Sequence, residues 1–201
     1  IMFYMTPVWT TIFEIIFLKK KHGWQRIVSL GLALGGLWVV FGQGGNIPLP
    51  ENAGDWLALL GGIMFAGGMI RLEVIKTDGV FPIIFGFFFY GTLFNIGAGF
   101  LLVDYLGPMP STEAFISMTT FLVLISVFYF IPTGIVILWA PTQIGAGICS
   151  ILFLSEIIVG AISSSILTDE PFGWRQIVGC SLIVIGGIIA VVLSPKEDVS
   201  K

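Results

Sequence analysis

The stretch KKKHGWQRIV, residues 19–28, returns 150 positions later as DEPFGWRQIV, residues 169–178. The Gly-Trp pair and the following Ile-Val are kept, while three lysines give way to Asp169, Glu170 and Pro171. Without gaps, residues 1–41 match 151–191 at 10 of 41 positions, among them Phe3 with Phe153, Ile12 with Ile162 and Ile16 with Ile166. A shared loop in a constant register marks an internal duplication. The reversal of charge between its copies is explained by what lies between them.

Of the 201 residues, 56% are hydrophobic and 10% charged, with mean hydropathy +1.02. Soluble domains carry about 25% charge, so this composition belongs to a membrane protein. Seven apolar spans are predicted: 1–18, 25–43, 55–72, 80–103, 114–139, 143–167 and 174–194. Each approaches the roughly 20 residues that cross a hydrocarbon layer. Breakers separate them: GQGGNIPLPENAGD, KTDG, DYLGPMPST, the turn Ala140-Pro141-Thr142, and TDEPFG. The spans are expected to be helices, because a lone strand in lipid leaves its backbone unpaired, and the alternating pattern of a barrel is missing. Pro132 is expected to kink the fifth span.

Several function classes are excluded. Cys149 and Cys180 lie inside spans and read as small packing residues rather than a disulfide framework. The single His22 stands in the lysine run, so no metal site or Ser-His-Asp set assembles around it. With no nucleophile–base pair, no enzyme is expected. The glycines (Gly31 with Gly35, Gly61-Gly62, Gly67-Gly68, Gly186-Gly187) lie mid-span, where they permit close helix approach rather than cradle phosphate. No ATP-binding motif or other cofactor site is visible. No basic patch points to nucleic acid, and no cleavable signal pattern opens the chain.

Orientation follows from Lys and Arg. Placing Lys19–Lys21 in the cytoplasm puts Arg26, Arg71, Lys76, Lys196 and Lys201 on that side too, leaving only Arg175 outside. The outer loops then carry Glu51, Asp55, Asp104, Glu113, Asp169 and Glu170, and the C-terminus is cytoplasmic. Five spans separate the duplicated loops. An odd number puts the copies on opposite sides, so the repeats are inverted, and lysines stay only on the inner copy. Inverted repeats are a known construction of secondary transporters, with the substrate site near the midplane. In this reading residues 1–43 are the last two helices of a first repeat and 44–54 a linker. A complete second repeat of five helices then fills 55–194, followed by a cytoplasmic tail at 195–201. Three further spans are expected upstream, in a ten-helix 5+5 architecture.

The run Leu154-Ser155-Glu156, then Glu170-Pro171-Phe172-Gly173-Trp174-Arg175-Gln176-Ile177-Val178-Gly179, then Leu182-Ile183 and Gly186, resembles the closing segment of an EamA domain of the drug/metabolite transporter superfamily. Gly54-Asp55-Trp56-Leu57-Ala58-Leu59 is similar to that domain's start, and Tyr4-Met5-Thr6-Pro7-Val8-Trp9 to the fourth span of a first copy. The resemblance implies two five-helix units, both termini cytoplasmic, and export or exchange of amino acids, other metabolites, drugs or nucleotide sugars. The family often has Pro after the mid-helix Glu, where this chain has Ile157.

Glu156 is the sharpest candidate for chemistry. It lies 15 residues from Pro141 and 13 from Asp169, near mid-membrane, where a carboxylate is expensive and faces a cavity or a partner. It is a candidate proton carrier or ligand for a substrate ammonium; the alternative is a structural Glu bonded between helices. Cys149, Gly160, Ser163 and Ser164 share its helix face. The repeat mates of Glu156, Gly160 and Ser164 are Thr6, Thr10 and Glu14. Thr6 and Thr10 either line the site or bond their own helix carbonyls. Glu14, five residues from Lys19, reads as an interfacial acid satisfied by snorkelling or by a lysine. Asn95 needs a partner in lipid, as helix glue or substrate ligand. Tyr129 shares a face with Thr119, Ser126 and Thr133 and can wall a cavity, as can Trp9 and Trp139. Trp24, Trp56 and Trp174 read as interfacial anchors.

The expectation is an alternating-access secondary transporter in the cell membrane. It would export or exchange a small polar metabolite, an amino acid first, on a proton or solute gradient. Its partners are the lipid bilayer and that small-molecule substrate. The alternative is a non-transporting or truncated membrane subunit that assembles with a partner. A seven-helix receptor or retinal protein is disfavoured by the repeat and by the lack of lysine in 174–194.

Overall fold

A computed structural model describes residues 2–42, 49–75, 81–101, 111–168 and 172–193. The described residues form helices and turns without a strand. A 3-10 turn at Met2–Met5 leads into α1 (Thr6–Phe17) and α2 (Trp24–Phe41). These are followed by α3 (Ala53–Val74), α4 (Phe81–Leu101) and α5 (Thr112–Ile125). A π-helical turn, Ser126–Phe130, joins α5 to α6 (Ile131–Ile144). The chain closes with α7 (Ala146–Phe153), α8 (Ser155–Leu167) and α9 (Trp174–Val192). Lys76, Asp104, Asp169, Glu170, Lys196 and Lys201, on which part of the charge pattern rests, lie outside the described residues.

Six helical stretches are long and apolar enough to cross a membrane: α2, α3, α4, Thr112–Ile144, Ala146–Leu167 and α9. The seventh predicted span is the apolar but shorter stretch Phe3–Phe17, with its helix α1 only 12 residues long. The turn predicted at Ala140-Pro141-Thr142 is displaced. The helix runs through Pro141 to Ile144 and breaks at Gly145, whose φ is +83° and ψ 150°. Pro141 forfeits one ladder bond, whereas Gly145 adopts a backbone conformation that a side chain opposes. Its N–H still reaches the Pro141 carbonyl at 3.2 Å. Pro132 acts through the preceding π-helical turn, which shifts the ladder where the ring meets the earlier carbonyl.

The chain forms two compact units, residues 1–74 with 141–201, and residues 75–140. In the second, Phe81, Phe85 and Phe89 stack along α4 at 6.2 and 5.5 Å, and Gly134 gives room to the Phe88 ring. The first unit holds the core of Ala33, Leu37, Ile151, Leu154, Ile157, Ile183 and Ala190.

Its principal crossing joins α2 to α9, the two helices that begin with the duplicated Gly-Trp. The contact is made by small residues. A Cβ on Gly36 would lie 2.5 Å from the Gly179 carbonyl oxygen and 3.0 Å from the Ile183 nitrogen. A Cβ on Gly186 would lie 2.9 Å from the Ser29 carbonyl oxygen and 3.1 Å from the Ala33 nitrogen. The Ser29 hydroxyl donates to the Gly186 carbonyl at 2.7 Å. Residues 29, 33 and 36 are related to 179, 183 and 186 by the 150-residue offset. The two glycines therefore meet corresponding atoms of corresponding residues across an antiparallel pair.

Candidate functional site

Two places in the first unit combine polarity with burial or irregular backbone. One lies midway along the stretch Ala146–Leu167, of which Glu156 is the eleventh of 22 residues. The helix is interrupted there. Leu154 N–H donates to the Ile151 carbonyl and Ile157 N–H to the Leu154 carbonyl, both at 3.1 Å, so two bonds close over three residues. The interruption occurs although Ile157 stands where proline would be the obvious cause. Leu154 and Ile157 are anchored in the core, which turns the intervening Ser155 and Glu156 outward. Both are exposed on this chain, and Glu156 makes no hydrogen bond or ion pair among the described residues. Tyr4 lies within the electrostatic reach of its carboxylate. Phe3 meets Tyr4 edge-on at 6.0 Å and Phe65 at 5.6 Å, and Phe65 meets Phe153 at 6.1 Å. An unpaired carboxylate within electrostatic reach of a tyrosine is suited to a cationic or hydrogen-bonding group.

Other predicted site residues are distributed differently. Gly160 is exposed, and Ser163 is half-buried on α8. Thr6 and Thr10 are buried, and their hydroxyls donate to the Phe3 and Thr6 carbonyls, so the threonines serve their own helix. The Asn95 amide donates to the Gly91 carbonyl one turn back at 2.8 Å, and its side chain is exposed. Tyr129 sits in the π-helical turn, exposed, with its ring 5.4 Å from Phe130. Thr119 and Ser126 line a shallow, open groove of about 330 Å3 on α5, otherwise apolar. The Trp9 indole N–H is buried without a hydrogen-bond acceptor among the described residues.

The second place was only partly anticipated by the sequence reading. Glu14 has the lysine partner expected of it, Lys20, but it is also 3% exposed and lies at the centre of a larger polar node. Its carboxylate is 3.4 Å from Lys20 Nζ, 3.4 Å from His22 Nε2 and 3.4 Å from Arg26 Nη2. It also accepts the Gly147 N–H at 3.1 Å. Lys20 bridges to Glu73 at 2.5 Å, and Glu73 accepts the Ala146 N–H at 2.8 Å. Two carboxylates thus take up free N–H groups at the start of α7, where the helix dipole favours negative charge. The cations are supplied by the α1–α2 connection and the first turn of α2. Arg26 also reaches the Thr11 hydroxyl at 3.5 Å. The signal in the sequence was depth: Glu14 and Glu73 stand in the last turns of α1 and α3, and Arg26 in the first turn of α2.

Among the described residues no group of three His, Cys, Asp or Glu side chains could hold a metal ion. No family model, curated protein or solved structure matches the chain.

Proposed function

We propose that this chain is a secondary transporter of the EamA type, built from inverted repeats in a ten-helix plan, that exports or exchanges a small polar metabolite by alternating access. The observation that carries the reading is the reciprocal crossing of α2 and α9. Corresponding residues of two antiparallel segments meet through corresponding atoms, as a two-fold axis in the membrane plane requires. The clustering of lysine and arginine at one end orients the chain, with the Lys19–Lys21 loop and the C-terminus in the cytoplasm and the spans in the cell membrane. Glu156, at an interrupted helix near mid-span, is the residue that engages substrate or a coupling proton, with an amino acid's ammonium as first candidate.

The test is flux in proteoliposomes containing the full-length protein, with amino acids in turn as substrate, comparing the parent with Glu156→Gln. The proposal predicts flux in the parent and its loss, or loss of its pH dependence, in the variant. Unaltered flux and pH dependence would remove Glu156 from the mechanism, and absent flux in the parent would remove the transporter.

One observation favours a second reading, a non-transporting subunit. Ser155, Glu156, Val159 and Gly160 form an exposed face on α8, and a carboxylate at that depth needs cover from a partner helix. That reading predicts no flux, and loss of assembly in Glu156→Gln.

A further inference from the structure

The polar node has features that two satisfied carboxylates alone would not need. It joins the two sides of the duplication: Glu14, Lys20, His22 and Arg26 belong to the first copy, Glu73, Ala146 and Gly147 to the second. The 150-residue mates of Glu14, His22 and Arg26 are the uncharged Ser164, Phe172 and Gln176, while that of Lys20 is Glu170, outside the described residues. The Ser164 hydroxyl is shared with Thr168 at 3.3 Å, and Gln176 accepts the Gly173 N–H at 3.1 Å, both local bonds. Gly147 is shaped to the node as well: a Cβ there would collide with Arg26 Nη2 and both Glu14 carboxylate oxygens. The start of α7 therefore seats directly against the ends of the Glu14 and Arg26 side chains, and a methyl group there would displace them.

We propose that this node is a charge latch that holds the Lys19–Lys21 end of the bundle shut. Rocking of one copy against the other breaks its ion pairs, so the latch opposes opening at this end. Release means α7 withdrawing from Glu14, which uncovers Cys149, 1% exposed and three residues beyond Ala146. The role in substrate passage rests on the transporter reading; the latch itself does not.

The test uses two single-thiol forms of the full chain in membranes, Cys180→Ala and Cys149→Ala, and the rate of N-ethylmaleimide labelling. Glu14→Gln removes the central charge, and Gly147→Ala leaves every charge in place but pushes the Glu14 and Arg26 side-chain ends away from the start of α7. In either background Cys149 is expected to label about tenfold faster, the scale of one lost charge-assisted bond controlling a local opening. Cys180, two turns into α9 from the other end, is expected to keep its rate. A Cys149 rate unchanged in both variants would overturn the latch. So would a parallel rise at Cys180, since that reports a loosened fold. Labelling needs no substrate, so failure of the flux assay would remove the transporter and leave this result standing.

Discussion

Gly36→Ala adds one methyl group at the place where the two copies come closest. Its Cβ would stand 2.5 Å from the Gly179 carbonyl oxygen and 2.8 Å from Ile183 Cγ1, against an ordinary contact of at least 3.4 Å. The nearest obstacle is backbone, so it cannot rotate aside, and α2 and α9 must part by something close to an ångström. A gap of that size forfeits roughly a quarter to a half of the dispersion energy along the seam. It also stretches the 2.7 Å Ser29–Gly186 bond. We expect destabilisation of about 2–3 kcal/mol, in the usual range for overpacking. The control is Gly31→Ala on the same helix, where a Cβ meets nothing within 4 Å. There the better helix propensity of alanine gives a gain of up to about 1 kcal/mol. Thermal unfolding of both variants in detergent, followed by circular dichroism, separates them. Equal midpoints for Gly36→Ala and Gly31→Ala would refute the close crossing.

Other consequences are read in the same unfolding assay. Ser29→Ala leaves the Gly186 carbonyl without its donor and is expected to cost about 1 kcal/mol. Gly145→Ala places a side chain at φ +83° and is expected to cost about 1–3 kcal/mol, whereas Gly160→Ala, in open space with ordinary helical backbone, costs nothing measurable. Glu14→Gln takes a paired carboxylate from buried Arg26, with an expected loss of about 3–5 kcal/mol, while Lys20 keeps its bridge to Glu73. Glu156→Gln, exposed and without a partner among the described residues, is expected to unfold with the parent.

The parts of the fold written locally in the chain were legible. Apolar length gave six of the seven expected spans, and the tryptophans marked starts, Trp24 opening α2 and Trp174 opening α9. The repeat register related α2 to α9, but that these two helices form the main crossing comes from the structure. Breakers were less reliable. Pro141 looked like a turn because proline lacks an N–H, but a helix tolerates one missing bond, and the break waits for Gly145, which alone needs positive φ. The interruption before Glu156 left no composition signal, because it arises from packing of Leu154 and Ile157 in the core. The polar node was hidden for a different reason. Counting residues from Lys19 gave Glu14 a lysine partner, which Lys20 is, but its burial among Glu73, Ala146 and Gly147 depends on the tertiary approach of α3 and α7. Asn95 and the threonines satisfy themselves one turn back, an outcome that spacing permits and cannot select.

The inverted-repeat transporter reading depends on the two Gly-Trp turns lying on opposite faces of the membrane. The direct measurement is labelling of single cysteines at Lys21→Cys and Phe172→Cys, each in a background without Cys149 and Cys180, by a membrane-impermeant maleimide applied to sealed vesicles of one orientation. The inverted arrangement predicts that the reagent reaches one of the two from outside and the other only after the vesicles are opened. Labelling of both from the same side would contradict it.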